Sequence, residues 1–440
     1  MKPRPPLPQG PYLVAGLARS GEAAAIALRA RGEEVIGCDA GAPEGAGRLR
    51  DAGVEVHLNT PGGELVGRAR TLVKSPGVPR EAPVVAAARE RGLTVTGELE
   101  LAWRMIANEF ITVTGTNGKT TTTELIGHVH REAGLPVAVA GNVGTALASL
   151  ADTITADATV VCEASSFQLE DSDAFAPEAA VLLNLTEDHL DRHGTFANYR
   201  NAKLRVFANQ GNEDIAVAPL GLGIEDLGGC ARRVCFGAGP GAELADRAGQ
   251  LWWADEPLIA TAEIRLRGPH NRLNAMAAAA VTLARGVPAD AVRAALQSFS
   301  GVAHRLEEVA ERDGVLYVND SKATNVASTL VALQSFAGGI HLIAGGRGKG
   351  ARFDELRDTV AERCAGVYAI GEAAGALAGA LEGAGPPLLR CSDLEQAVAA
   401  ARAAARPGDT VLLSPACASF DQYENFEARG EHFRALVGEA

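Results

Sequence analysis

The feature that most constrains this chain is a glycine-rich loop, GTNGKTT at residues 115–121, between a β-branched segment and an amphipathic segment. A strand that passes through such a loop into a helix presents backbone N–H groups and the helix N-terminus to a phosphate. Lys119 can reach the β- and γ-phosphates, and the Thr120 hydroxyl can bind Mg²⁺. The loop is shorter than the common P-loop, yet its context predicts a nucleoside triphosphate site; the alternative is a glycine-rich turn with a chance lysine.

Length and composition favour an α/β protein with three domains. Domains of about 100 to 200 residues are typical, and the 440 residues are 47% hydrophobic, which is enough to fill several cores. Only 5% of the residues are aromatic whereas 50 are glycine, so small side chains and close backbone approaches carry much of the packing. We expect domains at residues 1–98, 99–301 and 302–440.

Strand and helix patterns alternate in each of these three segments. The first begins as a β-α-β unit, which predicts a Rossmann-like N-terminal domain with an open parallel sheet. The central segment contains the P-loop and strongly apolar runs typical of parallel strands, and turn-broken strands at 213–265 predict a smaller antiparallel part. The last segment alternates again, so we expect a C-terminal Rossmann-like α/β domain.

The turn between Gly16 and Gly21 resembles a dinucleotide-binding fingerprint. Ala18 stands where the fingerprint has the glycine that lets a pyrophosphate approach the backbone, so the match is degenerate. Asp39, about 20 positions further on, suits a ribose hydroxyl. These residues leave three interpretations open, namely a nucleotide site, an NAD site in particular, or an ordinary β-α turn.

Glu163 ends an apolar strand, where a P-loop protein places the carboxylate that holds its metal opposite the threonine. The alternative is that Glu163 caps the following helix. A GTPase would also need a base-reading N-K-x-D element, and the sequence contains none. The chain is therefore not expected to be a guanine-nucleotide switch.

A second polar cluster, NLTEDHLDRH at residues 184–193, follows the next apolar strand. Such a density of carboxylates and imidazoles is costly unless a cation or a substrate uses it. His189 is therefore a candidate metal ligand. Lys203 follows on a predicted helix, and on the residues alone it is expected to be an ordinary solvated lysine.

The last segment collects polar residues in loops and at strand ends, where ligands bind in open α/β sheets. They are His304-Arg305, NDSKATN at 319–325, GGRGK at 345–349 and SPACASFDQYENFEARG at 414–430. We therefore expect ligand contacts in this segment.

Charge and cysteine content narrow the class of partner and the location. Lys and Arg number 41 against 54 Asp and Glu, and the net charge of −13 argues against nucleic acid. No stretch reaches about 18 uninterrupted apolar residues, and the first residues contain no apolar core of signal-peptide length. We expect a cytoplasmic protein without membrane insertion. The seven cysteines lack metal-binding spacing and are expected to be free thiols.

Taken in order, the motifs of the whole chain resemble those of the Mur ligase family. They are GTNGKTT, E-x-S-S-F-Q-L-E at 163–170, NLTEDHLDRH, HNRLNA at 270–275, His304-Arg305 and NDSKATN. NDSKATN together with SPACASFDQYENF points to the branch that adds D-glutamate. The branch that adds diaminopimelate or lysine is expected to carry a D-N-P-R element in its third domain, and this chain has none.

The resemblance implies a set of site residues. The implied ATP contacts are Gly115, Thr116, Asn117, Gly118, Lys119, Thr120, Thr121, Asn274, Arg305 and Asp320. Two Mg²⁺ ions are implied, with ligands Thr120, Glu163, His189 and Lys203, the last as a carbamate formed with CO₂. The implied D-glutamate contacts are Thr324, Lys349, Ser419, Phe420 and Phe426, and those of the UDP-sugar substrate are Ser20, Asp39, Gly77, Asn142 and His189. Catalysis would rest on Lys119, His189, Lys203 and Arg305.

The activity implied by the resemblance is an ATP-dependent amide ligase. It would join D-glutamate to UDP-N-acetylmuramoyl-L-alanine through an acyl phosphate, as a monomer, in peptidoglycan precursor synthesis. Residues 1–98 would bind the UDP substrate, 99–301 ATP and 302–440 the amino acid. Another Mur ligase or a folylpolyglutamate synthase would share the P-loop and the modified lysine but not the tail motif. From other classes, a P-loop kinase or ATPase switch would need no amino acid, and Ala18 disfavours an NAD-dependent dehydrogenase.

Overall fold

The computed structural model describes residues 2–222, 227–348 and 350–438. The chain forms an α/β fold that divides into two compact units. The first unit comprises residues 1–265 and 270–299, and the second comprises 266–269 and 300–440. Residues 1–98 and 99–301 were expected to be separate domains but lie almost wholly in the first unit, so the three-domain division stays a prediction.

The N-terminal sheet of the first unit is entirely parallel and has the order β3-β2-β1-β4-β5. Its strands are β1 (Tyr12–Ala15), β2 (Val35–Asp39), β3 (Glu55–Leu58), β4 (Thr71–Lys74) and β5 (Thr94–Gly97). Its helices are α1 (Arg19–Ala30), α2 (Ala46–Asp51), α3 (Pro83–Glu90) and α4 (Glu98–Met105). The strand order runs outward in both directions from β1, which places a crevice at the carboxyl end of β1.

The larger sheet of the first unit has nine described strands in the order β14-β13-β12-β11-β10-β9-β6-β8-β7. They are β6 (Phe110–Thr114), β7 (Val137–Gly141), β8 (Thr159–Glu163), β9 (Ala179–Leu182), β10 (Ile215–Pro219), β11 (Arg232–Gly237), β12 (Leu244–Arg247), β13 (Gln250–Trp253) and β14 (Glu256–Ala260). The helices that accompany it are α5 (Lys119–Glu132), α6 (Ser166–Leu169), α7 (Leu190–His193), α8 (Phe196–Ala208), α9 (Pro269–Ala284) and α10 (Ala289–Ser298).

The antiparallel part of this sheet is shorter than the predicted range of residues 213–265. Strands β10 and β11 pair parallel with their neighbours, and only the β12–β13 and β13–β14 pairs are antiparallel. The reason is burial, because β10 and most of β11 are enclosed like the parallel strands before them. Because this segment is rich in turn residues, the sequence did not indicate that β10 and β11 continue the parallel sheet.

The sheet of the second unit is mixed and has the order β15-β16-β20-β17-β18-β19. Its strands are β15 (Glu307–Arg312), β16 (Val315–Asn319), β17 (Ile340–Gly345), β18 (Cys364–Ile370), β19 (Leu388–Arg390) and β20 (Thr410–Leu413). Its helices are α11 (Val326–Gln334), α12 (Arg357–Arg363), α13 (Ala374–Leu381), α14 (Leu394–Ala404) and α15 (Phe426–Gly438). Only the edge strand β15 pairs antiparallel, so the loops after β16, β17 and β20 emerge at the same edge.

A buried carboxylate joins the two sheets of the first unit. Glu100 on α4 is 1% exposed, and its oxygens accept hydrogen bonds from the backbone N–H groups of Asp173, Ala174 and Phe175 at 2.9 to 3.2 Å. Arg104 pairs with it at 2.8 Å. Because a buried charge is costly unless it is paired and hydrogen-bonded, this arrangement fixes α4 against the connection that follows α6.

Two sequence expectations concern the whole chain. All seven cysteines are free thiols. No helix among the described residues is long and apolar enough to cross a membrane.

Candidate active site

The P-loop is shaped by two glycines that no other residue could replace. Gly115 and Gly118 have positive φ angles of 151° and 84°. A Cβ on Gly118 would lie 2.1 Å from Asn274 Oδ1, and one on Gly115 would lie 2.9 Å from Leu183 Cβ. The loop therefore approaches α9 closely, and α5 begins within the motif, at Lys119.

The loop at 184–193 is fastened to the P-loop by hydrogen bonds. Asn184 accepts from Thr116 N through its carbonyl at 3.1 Å and from Asn117 N through Oδ1 at 2.9 Å. Its Nδ2 donates to the Asn117 carbonyl at 3.0 Å. The two polar motifs that the sequence separates by more than sixty residues thus form one site.

Lys119 folds back over the P-loop. Its Nζ donates to the carbonyl oxygens of Gly115 at 3.0 Å and Thr116 at 2.9 Å. Thr120 and Thr121, the next two residues of α5, are buried. The first turn of this helix directs its unbonded N–H groups toward the loop, which is the arrangement that favours a phosphate.

Lys203 is buried at the P-loop, so the expectation of a solvated lysine is wrong. Lys203 is 2% exposed, Nζ donates to the Gly115 carbonyl at 2.7 Å, and the ammonium lies 4.7 Å from the centre of the Tyr199 ring. Burial, with help from the nearby charge of Lys119, lowers its pKa to about 7. Helix α8 turns this face inward, and a polar residue's inward orientation is not visible in the sequence.

Glu163 lies at the carboxyl end of β8 and is 3% exposed. Its Oε1 accepts from Asn142 Nδ2 at 2.9 Å, and its carbonyl accepts from Asn142 N at 2.9 Å. The alternative role of helix capping belongs to Ser165, whose hydroxyl accepts from Gln168 N while Gln168 bonds back to Ser165 N. Glu163 is therefore a buried carboxylate at the end of β8 that does not cap the following helix.

His189 has a positive φ angle of 51° at the start of α7, and its side chain is about half exposed. Its ring centre is 4.9 Å from that of Phe167, and Nε2 is 3.5 Å from an Asp188 oxygen. No three His, Cys, Asp or Glu side chains of the described ranges form a cage for a metal ion. The donor set still suits Mg²⁺, which takes few protein oxygens together with water and phosphate, and Thr120 and Glu163 supply such oxygens.

A cleft of about 660 Å³ opens at the carboxyl end of β1 in the N-terminal sheet. It is lined by four of the five residues expected to hold the UDP substrate, namely Ser20, Asp39, Gly77 and Asn142. His189 does not line it. Both oxygens of Asp39 accept backbone hydrogen bonds, from Leu17 N at 2.7 Å and Gly41 N at 2.8 Å. That carboxylate therefore shapes the turn as well as facing the cleft.

In the second unit, Asp320 directly follows β16, and Arg305 lies shortly before β15. Asp320 is 5% exposed, and its oxygens accept from Leu306 N at 3.2 Å and from the Ser414 hydroxyl at 2.8 Å. Burial raises its pKa to about 7, against the opposing effects of these bonds and of Arg305. Asn274, the remaining residue expected to contact ATP, is buried in the first unit and donates to Asn271 Oδ1 at 3.2 Å.

The residues expected to bind D-glutamate lie in loops of the second unit. Thr324 and Phe420 are exposed, whereas Ser419 is buried. The Phe426 ring is half-buried, with its centre 6.2 Å from that of His304. Lys349 lies outside the described residues.

Two residues that sequence reasoning missed complete the site. Tyr199 donates from its hydroxyl to Thr116 Oγ1 at 3.1 Å, and its position four residues before Lys203 on α8 was the available signal. Lys74, fully buried at the end of β4, lies 2.7 Å from an Asp171 oxygen and 3.7 Å from a Glu170 oxygen. It joins the end of β4 to the segment after α6, directly before the cleft residue Ser75, and the sequence gave no sign that it would be buried.

Two models of protein families match parts of this chain. The Mur ligase middle domain matches residues 113–233, and the Mur ligase glutamate ligase domain matches residues 304–417. A protein of Pelotomaculum thermopropionicum named UDP-N-acetylmuramoylalanine--D-glutamate ligase is 42% identical, with 97% of this chain and 96% of that one covered. A Myxococcus xanthus protein of the same name is 42% identical, with 97% of each covered.

Among solved structures, the UDP-N-acetylmuramate-alanine ligase of Thermotoga maritima has the same fold. Its TM-score is 0.61 at 18% identity, with 98% of this chain and 100% of that one covered. Likeness at this identity concerns the fold alone, whereas the relatives above match in sequence over nearly their whole length. The chain therefore belongs to the Mur ligase family, in the group of proteins named UDP-N-acetylmuramoylalanine--D-glutamate ligase.

Proposed function

We propose that this chain is the ligase that joins D-glutamate to UDP-N-acetylmuramoyl-L-alanine at the expense of ATP, in cytoplasmic peptidoglycan precursor synthesis. One structural observation carries the proposal. Asn142 lines the cleft at the carboxyl end of β1, and it donates at 2.9 Å to Glu163, the carboxylate beside the P-loop. The cleft and the phosphate site are thus neighbours in one compact unit, as transfer of phosphate to the bound substrate requires.

Each of the three predicted segments is assigned its own ligand. Residues 1–98 bind the UDP substrate through Ser20, Asp39 and Gly77, with Asn142 and His189 completing the contacts. Residues 99–301 bind ATP and metal, and residues 302–440 bind D-glutamate. The cleft supports the first assignment, because four of these five residues line it.

ATP is bound by the P-loop together with Asn274, Arg305 and Asp320. When phosphate arrives, the Lys119 ammonium exchanges the carbonyl oxygens of Gly115 and Thr116 for phosphate oxygens, which are stronger acceptors. Thr120 and Glu163 would hold a first Mg²⁺. Bound Mg²⁺ neutralises phosphate charge as two anions approach.

Lys203 is the proposed site of a carbamate. A pKa near 7 leaves about half of the amine neutral at neutral pH, and only the neutral amine adds to CO₂. The new N–C bond forms as the nitrogen loses one proton to water, and the remaining N–H can keep the bond to the Gly115 carbonyl. The side chain changes from a cation into an anion, which together with His189 would hold a second Mg²⁺.

The reaction proceeds in two steps. The alanyl carboxylate attacks the γ-phosphorus of ATP, which gives an acyl phosphate and releases ADP. The amine of D-glutamate then attacks the acyl carbon, and phosphate leaves from the tetrahedral intermediate as the nitrogen gives up its proton. Lys119 and Arg305 offset the negative charge of the first step. Thr324, Lys349, Ser419, Phe420 and Phe426 hold the amino acid, and His189 orients the carboxylate.

Phosphate release with UDP-N-acetylmuramoyl-L-alanine, ATP, Mg²⁺ and a panel of D- and L-amino acids tests this function. We expect release that depends on every component and is fastest with D-glutamate. Release without any amino acid would instead indicate a kinase or ATPase. Release with a different amino acid would indicate another ligase of the family.

A further inference from the structure

A buried arginine of the second unit has no role in the function described so far. Arg429, on α15, is 1% exposed. Arg434 on the same helix, by contrast, pairs with two carboxylates. In the described part of the chain, the polar contacts of Arg429 are with oxygens of neutral groups, and Asp421 acts on it at longer range.

The guanidinium binds three separate loops at once. Nε donates to the Ser321 hydroxyl at 3.0 Å and Nη2 to the Ser321 carbonyl at 2.8 Å, in the loop after β16. Nη2 also donates to the Cys417 carbonyl at 3.2 Å, after β20, and Nη1 to the Gly345 carbonyl at 3.5 Å, at the end of β17. One planar group therefore sets the spacing of three strand ends.

Those three loops carry the residues assigned to D-glutamate. Thr324 lies three residues after Ser321, Ser419 two residues after Cys417, and Lys349 four residues after Gly345. Ser321 also donates from its hydroxyl to the Phe426 carbonyl at 2.8 Å, so the start of α15 belongs to the same network. A shift of Arg429 would displace the loops before Thr324 and Ser419 and the start of α15.

The charge of Arg429 also needs an explanation. Burying a cation is costly, and buried charges are normally paired with an opposite charge. Burial lowers the pKa of this guanidinium only to about 10, so it remains a cation at physiological pH. A buried cation with no carboxylate in direct contact produces a positive potential around the three loops, which favours a ligand that brings carboxylates.

We propose that Arg429 is a positioning residue for the amino-acid substrate, which fixes the three loops and favours a substrate carboxylate through its charge. The inference rests on the proposed function for the identity of that substrate. It adds a residue that binds no substrate atom itself, and it places the preference for an acidic amino acid partly in the interior of the second unit.

Steady-state kinetics of the full-length enzyme test this role. Arg429→Met removes the charge and the hydrogen bonds at similar volume, and we expect the KM for D-glutamate to rise about 10- to 100-fold. The KM values for ATP and the UDP substrate should stay within about twofold, which a general loss of folding would not allow. Arg429→Lys keeps the charge but not the planar fork, so its KM should fall between those of Arg429→Met and the wild type.

Two further variants keep the test decisive. Ser321→Ala leaves the buried cation in place but removes the Nε acceptor, and the KM for D-glutamate should rise about 3- to 10-fold even if Arg429→Met does not fold. Arg434→Met, on the same helix, is the matched control, because this half-buried arginine pairs with Glu307 and Glu431 and not with the three loops, and it should leave that KM unchanged.

The proposal is overturned if folded Arg429→Met and Ser321→Ala keep the wild-type KM for D-glutamate, if all three KM values rise together, or if Arg429→Lys is as impaired as Arg429→Met. The wild type run in parallel separates the two claims. No turnover of D-glutamate by the wild type refutes the proposed function, and with it this substrate assignment. Turnover by the wild type with an unchanged KM in the variants refutes the role of Arg429 alone.

Discussion

Asp320→Asn is expected to stabilise the second unit above neutral pH while weakening the use of ATP. Burial raises the folded-state pKa of Asp320 from 3.8 to about 7. The folded state then holds a proton that the unfolded state has released. The contribution of Asp320 to the free energy of unfolding is fully present below about pH 4. It falls by about 1.4 kcal/mol per pH unit above that and is lost as the pH rises through about 7.

The local hydrogen bonds are compatible with this substitution. The amide oxygen keeps the bond from Leu306 N, and the new amide nitrogen can donate to the Ser414 hydroxyl. That hydroxyl can turn to donate to Thr329 Oγ1, 3.1 Å away, which in turn donates to the Ser414 carbonyl at 3.2 Å. The variant therefore keeps a partner for each of these groups and removes the proton linkage.

The expected magnitude comes from the part of the titration between pH 5 and pH 8. About two pKa units of the shift lie in that window, so the stability of Asp320→Asn relative to wild type should increase by about 3 kcal/mol from pH 5 to pH 8. Hydrogen–deuterium exchange of the β16 and β20 amides, corrected for intrinsic rates, measures this for the second unit.

The matched control is Asp358→Asn, an exposed carboxylate at the start of α12, which should not change the pH dependence. A constant difference between wild type and Asp320→Asn across this range would refute the reasoning, because it would mean that burial does not perturb Asp320. The KM for ATP should rise in Asp320→Asn and not in the control.

Three further predictions concern lysines of the proposed site. Lys119→Ala should lose about 10²-fold or more of phosphate release, and near-normal activity would contradict the P-loop assignment. Lys203→Ala should lose most activity and regain part of it in added short-chain carboxylates, which replace the missing anion; an unmodified Lys203 in the mass spectrum of active enzyme would count against the carbamate. Lys349→Ala should raise the KM for D-glutamate about 10- to 100-fold with little change for ATP, and the reverse pattern would place Lys349 in the nucleotide site.

The sequence was sufficient for the features that are local. The P-loop is predictable because glycine, lysine and threonine at fixed spacing between a strand and a helix allow little else. The cleft residues Ser20 and Asp39 follow from a β-α turn and the next strand end, and the carboxyl ends of parallel strands meet at one edge. Their functional roles remain predictions of the resemblance.

Features that depend on which face of an element is buried were not predictable. Lys203 looked like a surface lysine because α8 has a mixed polar pattern, and only its packing on the P-loop shows that it is buried. Arg429 lies in a tail motif that was recognised, yet two of its three partner loops lie more than eighty and one hundred residues away. Strands β10 and β11 continue the parallel sheet although turns surround them.

The most direct test of the account is the mass of the product formed from UDP-N-acetylmuramoyl-L-alanine, ATP and D-glutamate by the purified wild-type chain. The account predicts a UDP-linked product heavier by one glutamyl residue, with ADP and phosphate released in equal amounts. Phosphate release with no such product, or a product carrying another amino acid when a mixture is supplied, would contradict it.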